Sequence, residues 1–233
     1  MKKRTLALLM AVVMLFGVTV GGTIAWLKAD ADKVENTFTF GKIDIVLDET
    51  DTDESETDKT VDGRDKKNAY KLIPGAPAVK DPIVTVSSTS EKCYVFVKLV
   101  EEKNSVTITV GNNSVTVPQI IEYEVNTTYW KQVESDSDIY VYTGGTTEAV
   151  EVDSTYDTDN SREGIQTIAV LKPKYGDSQD KHIKVSNDLT EAMIEQIGTS
   201  TPVLTFDACA VQSENNTYET ALGIAEESLA TVN

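Results

Sequence analysis

A single histidine, two cysteines and two acidic runs are the residues of this chain with the most chemistry to offer. His182 stands alone in DKHIKV. A zinc protease of the usual kind needs two histidines one helical turn apart, with a glutamate as base. A hydrolytic triad that uses histidine would have to use this one, and no serine sits in a Gly-x-Ser-x-Gly setting. His182 therefore reads as a surface strand residue, and no catalytic residue is expected. Asp157, Asp159, Ser161 and Glu163 alternate oxygen ligands, and Asp48, Asp51 and Asp53 form a looser cluster. No glycine follows at the loop turn, and no glutamate closes an EF-hand loop. Both clusters read as solvated loops, with no cofactor and no defined metal site. Weak screening of their charge by divalent ions stays open. Trp130 with Tyr140 or Tyr142 offers an aromatic face for sugar, although aromatics on strands more often pack against their cross-strand neighbours.

The amino-terminal residues carry a different kind of information. Lys2, Lys3 and Arg4 precede an uncharged run from Thr5 to Leu27. Basic residues stay on the cytoplasmic side while the apolar run enters the bilayer. The run ends in Gly21, Gly22, Thr23 and Ala25, and a signal peptidase needs small side chains one and three positions before its cut. Cleavage is expected after Ala25, before Trp26, with Ala29 or Ala31 as alternatives. A retained anchor is the competing reading, because the run is long enough to span a bilayer of about 30 Å. In that case the chain meets the membrane only through the uncleaved signal.

Composition narrows the partners. The formal charge is -17 over 233 residues, and the export segment holds three cations and no acid, so the remainder is more negative still. Such a chain repels nucleic acid and anionic lipid. Like charge also keeps it soluble and makes any self-assembly sensitive to salt or divalent ions. After a signal of residues 1–25, residues 26–233 suffice for one domain with a real core.

Val, Ile, Thr and Tyr are abundant, and apolar residues alternate in short runs, which is the period of half-buried strands. In NTFTFGKIDIVL (36–47), Phe38 and Phe40 share a face, as do Ile43, Ile45 and Leu47 after a break at Gly41. Residues 48–68 and 153–163 have little to bury and read as exposed acidic loops. Strands are expected at 83–86 and 93–100, joined by a polar turn, and a hairpin at 105–117 about Gly111-Asn112-Asn113. Residues 120–125 and 129–133 read as a further strand pair. Short strands are expected at 139–142, 165–171 and 182–185, and a long one at VLTFDACAVQ (203–212). The best helix is 189–197, capped by Asn187 or Asp188 and closed by Gly198, and 218–229 suits a second. About nine short strands with few helices predict an all-β chain, an antiparallel β-sandwich or jelly roll.

Export permits a disulfide. Cys93 shares a strand face with Val95, Val97 and Leu99, whereas Cys209 shares one with Thr205 and Asp207, opposite Leu204, Phe206 and Ala208. If both strands lie in one sheet with one inner face, the sulfurs point apart and no bond forms. A bulge would reverse this.

Three stretches resemble the TasA/camelysin family of exported Gram-positive proteins: GGTIAWLKADADKVENTFTFGKIDIVLDE (21–49), YKLIPGAPAVKDPIVTVSSTSEKCYVFVKL (70–99) and TPVLTFDACAVQ (201–212). Trp130 and IYVYTG (139–144) sit where such proteins have a Trp and a Tyr-rich strand. The resemblance implies export through a dedicated SipW-type signal peptidase. It also implies a jelly-roll-like domain, located in the extracellular matrix or at the cell surface, that builds biofilm fibres with itself or with related matrix proteins. In such fibres the first strand of one subunit completes the sheet of the next. The corresponding residues here are Val34, Thr37, Phe38, Thr39, Phe40, Ile43 and Ile45, within Trp26–Leu47. An extended strand offers a full row of backbone donors and acceptors that an open edge can satisfy. The alternatives are a strand paired within its own chain, which would leave a monomeric adhesion module, and a camelysin-type protease, which the lone histidine argues against.

Overall fold

The computed structural model describes residues 41–52, 64–153 and 166–230, all within the unit Gly41–Asn233. Among them are twelve strands, all paired antiparallel, and two helices. The strands are β1 (Ile45–Asp48), β2 (Pro77–Ala78), β3 (Ile83–Val86), β4 (Cys93–Glu102), β5 (Val106–Val110), β6 (Asn113–Val117), β7 (Ile121–Tyr123), β8 (Trp130–Gln132), β9 (Ile139–Tyr142), β10 (Gln166–Ala169), β11 (Ile183–Val185) and β12 (Val203–Gln212). The helices are α1 (Glu191–Ile197) and α2 (Tyr218–Ala230).

β4 organises the rest. Its alternation puts Cys93, Val95, Val97 and Leu99 on one face, and Tyr94 and Phe96 on the other. Both faces are covered. β4 pairs along its whole length with β12, from Cys93 opposite Gln212 to Glu102 opposite Val203, and with β9 on its other side. β8 completes the order β12-β4-β9-β8. On one face, Val95, Val97 and Trp130 pack with Val84, Val86 and Ile168 from the group β1-β3-β10. Farther along, Leu99 packs with Ile121, Ile183, Val185 and the α1 residue Met193. On the opposite face, Phe96, Val141 and Val211 pack against Ala221, Ala225 and Leu229 of α2. Two alanines on the contacting side of α2 let the helix sit close to the sheet.

The three-stranded groups β1-β3-β10 and β2-β11-β7 are joined by backbone bonds. Asn126 N–H donates to Val170 O at 2.8 Å, Lys172 N–H donates to Glu124 O at 2.9 Å, and Val125 pairs with Leu171. β5 and β6 form the expected hairpin. Gly111 takes φ +64 at its turn, a conformation glycine adopts without steric cost.

Three local expectations need correction. The segments 120–125 and 129–133 do not pair: β7 pairs with β11, and β8 pairs with β9. β3 and β4, adjacent in sequence, enter different sheets, because their apolar faces meet across the core instead of side by side. The helix at 190 is capped by Thr190, whose Oγ1 accepts from Met193 N–H at 3.4 Å, rather than by Asn187 or Asp188. Gly198, at φ +52, closes it as expected, with its N–H on Ile194 O. In α2, Ala221, Ala225 and Leu229 are buried, with Leu222 packed beside them.

Candidate functional site

A groove of about 780 Å³ lies between β1 and β12. Each is the terminal strand of its group, so neither has a second strand partner among the described residues. Leu204 and Phe206 of β12, Leu47 of β1, and Tyr70 and Leu72 line the apolar part. The side chain of Val203 is 46% exposed beside it. An open strand edge is a row of unmatched backbone donors and acceptors, and an apolar floor gives an incoming strand something to bury.

One end of the groove is polar and closed by ion pairs. Arg64 Nε lies 2.6 Å from Asp48 Oδ1, and its Nη2 lies 3.4 Å from Asp81 Oδ2. Thr50 donates to the same Asp81 carboxylate from its N–H at 2.7 Å and from its hydroxyl at 2.8 Å. Lys80 Nζ lies 2.9 Å from Glu49 Oε2, and above the rings of Phe206 and Tyr70 at 5.3 and 5.6 Å. Glu49 and Asp65 exchange both backbone hydrogen bonds, at 2.7 and 2.8 Å. The segment 64–72 is thereby fixed beside the end of β1.

These contacts revise the reading of 48–68 as an exposed loop. Asp48, Glu49 and Asp65 are buried, because Arg64, Lys80 and backbone pairing satisfy what their burial would otherwise leave open. Sequence reasoning missed Arg64 and Lys80. The available signal was slight: both cations follow the dense run of acids at 48–58, Arg64 close behind it and Lys80 further along.

The other anticipated residues fall as follows. Ala25, Trp26, Val34, Thr37, Phe38, Thr39 and Phe40 lie outside the described residues, as do Asp53, Asp157, Asp159, Ser161 and Glu163. Ile43 packs on the core beneath β1, and Ile45 pairs with Val86 of the same chain. Asp48 faces Arg64 rather than a cation-binding loop. No cluster of three or more His, Cys, Asp or Glu among the described residues could hold a metal ion. No described helix is long and apolar enough to cross a membrane.

Trp130 is 1% exposed, with its ring edge-on to Tyr142 at 5.9 Å and its Nε1–H donating to Ala169 O at 2.9 Å. It cannot present a face to a sugar. The cysteines are free. Cys93 points to the Val95 side of the sheet and Cys209 to the α2 side, as alternation required. Burial pushes the Cys93 thiol up to about 11, so its reactive thiolate form is scarce near neutral pH.

His182 is half-buried rather than a surface residue, and its Nδ1 has no hydrogen-bond partner. Burial lowers its pKa, against an opposing pull from Asp81 and Asp180. The unfolded state therefore takes up the proton first. The stability this group contributes is present above the unfolded value of about 6.5 and is lost as pH falls through it toward the lowered folded value. The expected result is that His182→Gln flattens the decline in chemical-denaturation stability just below that pH. An unchanged slope in the variant would show that carboxylates alone cause the decline.

No protein-family model, curated protein or solved structure matches this chain.

Proposed function

We infer that this chain is an exported structural protein, not an enzyme, that assembles by passing a strand from one copy into the groove of another. In this reading its two layers form an antiparallel sandwich of the jelly-roll kind, with Val84 and Val86 facing Val95 and Val97 across the core. The observation that carries the reading is the apolar groove flanked by two open strand edges, β1 and β12. The donor is the segment between Trp26 and Phe40, freed at its start by cleavage after Ala25. Its alternation of Thr37, Phe38, Thr39 and Phe40 suits a strand with one buried face. Ile43 and Ile45 are engaged within their own chain, so exchange is confined to the residues before them. Its setting is the biofilm matrix or cell surface, and its partners are further copies or related matrix proteins.

The test is growth of large species by light scattering, with negative-stain microscopy, on the processed chain. Growth should rise with protein concentration. It should also be faster at 0.15 M salt than at 0.01 M, as the screening length falls from about 30 to about 8 Å and the like charges cease to repel. Deleting Trp26–Val34 should abolish growth while circular dichroism still reports the folded domain. Growth that survives the deletion removes the donor strand from the account.

The in-chain pairing of Ile45 with Val86 favours one second reading, a monomeric surface binding module that keeps its first strand. A processed chain that stays monodisperse under all these conditions and binds a surface ligand would support that reading.

A further inference from the structure

Lys80 is the most deeply set cation at the groove, 8% exposed, and its carboxylate partner Glu49 is 6% exposed. Only 2.9 Å separates Nζ from Oε2. The rings of Phe206 and Tyr70 stand over the amine and limit its access to water. Glu49 is directly opposite Asp65, which is fully buried. Directly opposed residues of an antiparallel pair project their side chains to the same side. One primary amine and two carboxyls are thus gathered where water is scarce.

We propose that Lys80 and Glu49 condense into a side-chain amide, making this corner of the groove a self-modifying cross-link. In bulk water the ammonium and carboxylate are solvated and inert toward each other. Within the 2.9 Å contact the shared proton passes from Nζ to the Glu49 carboxylate in the reacting pair, which leaves the amine and the acid that condensation needs. Fixed contact replaces a bimolecular encounter, a gain that in well-oriented pairs corresponds to effective molarities of roughly 10⁵–10⁸ M. The Nζ lone pair attacks Glu49 Cδ, and the C–N bond forms. The Asp65 carboxyl gives a proton to the departing hydroxyl and takes one from the nitrogen. One water leaves, no electron changes hands, and no co-reactant is required.

The position gives the bond a use. Glu49 directly follows β1, and Lys80 lies just ahead of β3, the strand with which β1 pairs. The amide closes a covalent ring through residues 49–80 across the base of that ladder. Force arriving from the amino-terminal side enters the domain through β1 and would pass to β3 through a covalent bond as well as through hydrogen bonds. This use rests on the fibre reading, but the bond itself does not.

The experiment is tryptic digestion of the denatured, processed full-length chain followed by mass spectrometry. Trypsin cannot cut after an acylated lysine. The expected product is a branched peptide joining residues 43–59 to residues 72–92, lighter by one water than the two together, with fragmentation placing the link at Lys80 and Glu49. Lys80→Arg keeps the cation but should lose the branched species. Asp65→Asn, followed in time after refolding, should slow its appearance at least tenfold. An unmodified peptide ending at Lys80 as the sole form would overturn the proposal and leave an ion pair only. A link to Asp65 in place of Glu49 would overturn the assignment of the acyl partner. A branched species in a chain that never polymerises would keep the bond and discard the fibre reading.

Discussion

Trp130→Ala is expected to lower the unfolding free energy by about 3–5 kcal/mol, the largest effect of any single truncation among the described residues. Among the described residues Trp130 is the largest fully buried side chain, and it packs among Val84, Val86, Val95, Val97 and Ile168. It belongs to β8 yet reaches the strands of the other layer, so its removal opens a cavity where the two layers meet. The truncation also strips Ala169 O of the indole donor at 2.9 Å and leaves it only the longer Asn126 Nδ2 contact at 3.5 Å. Natural domains have only about 5–15 kcal/mol in hand. At this size the loss corresponds to a fall in Tm of roughly 6–20 °C. Guanidinium titration with an unchanged slope would measure it. Trp130→Phe should retain more than half of the lost stability. A loss below about 1 kcal/mol for the alanine variant would mean that the two layers are not held through this cluster.

In the chain whose Lys80 and Glu49 are still an ion pair, Lys80→Met is expected to cost a similar amount, about 3–5 kcal/mol, for an electrostatic reason. Methionine replaces most of the volume of the lysine stem, so packing changes little. The Glu49 carboxylate, however, keeps its buried position and loses the Nζ at 2.9 Å. Taking a charge out of water is tolerable only while a partner compensates it. Glu49→Leu should be destabilising in turn, because it strands the ammonium beside Tyr70 and Phe206. The informative variant is the double replacement, Lys80→Met with Glu49→Leu. It should recover most of the loss of either single change, since two apolar groups can fill the site without an orphaned charge. A double-mutant cycle reads this directly. Losses that simply add would show that the two side chains do not act as a pair.

Both effects bear on how far residue order alone discloses this molecule. Period-2 alternation correctly located β4, β12, the β5–β6 hairpin and the β9 strand. Once a run such as CYVFVKL is extended, the pleat dictates which residues share a face. The same rule separated Cys93 from Cys209. Turn and helix-end chemistry was legible at Gly111 and Gly198, where a positive φ is needed. Strand partners were not legible. Residues 83–86 and 93–100 looked like neighbours and are in different sheets, and 129–133 turned to β9 instead of 120–125. Alternation states that a face is buried, not what lies against it.

The groove shows the limit most plainly. Leu47, Tyr70, Leu72 and Phe206 come from distant parts of the chain and meet only in the folded domain. Their proximity leaves no periodic trace. The acidic stretch after β1 has the composition of a solvated loop, and most of its charge gives no other hint. Its ends are nonetheless buried, because Arg64 and Lys80 arrive from further along to neutralise Asp48 and Glu49. Excess negative charge and a strand-built body with few helices belong to local order: each follows from residue type and spacing within a short window. Which strand edges stay open, which acids are buried and which amine touches which carboxyl were decided by tertiary structure. Those depend on contacts between residues far apart in the chain, and a contact's energy is set by its surroundings rather than by its neighbours in sequence.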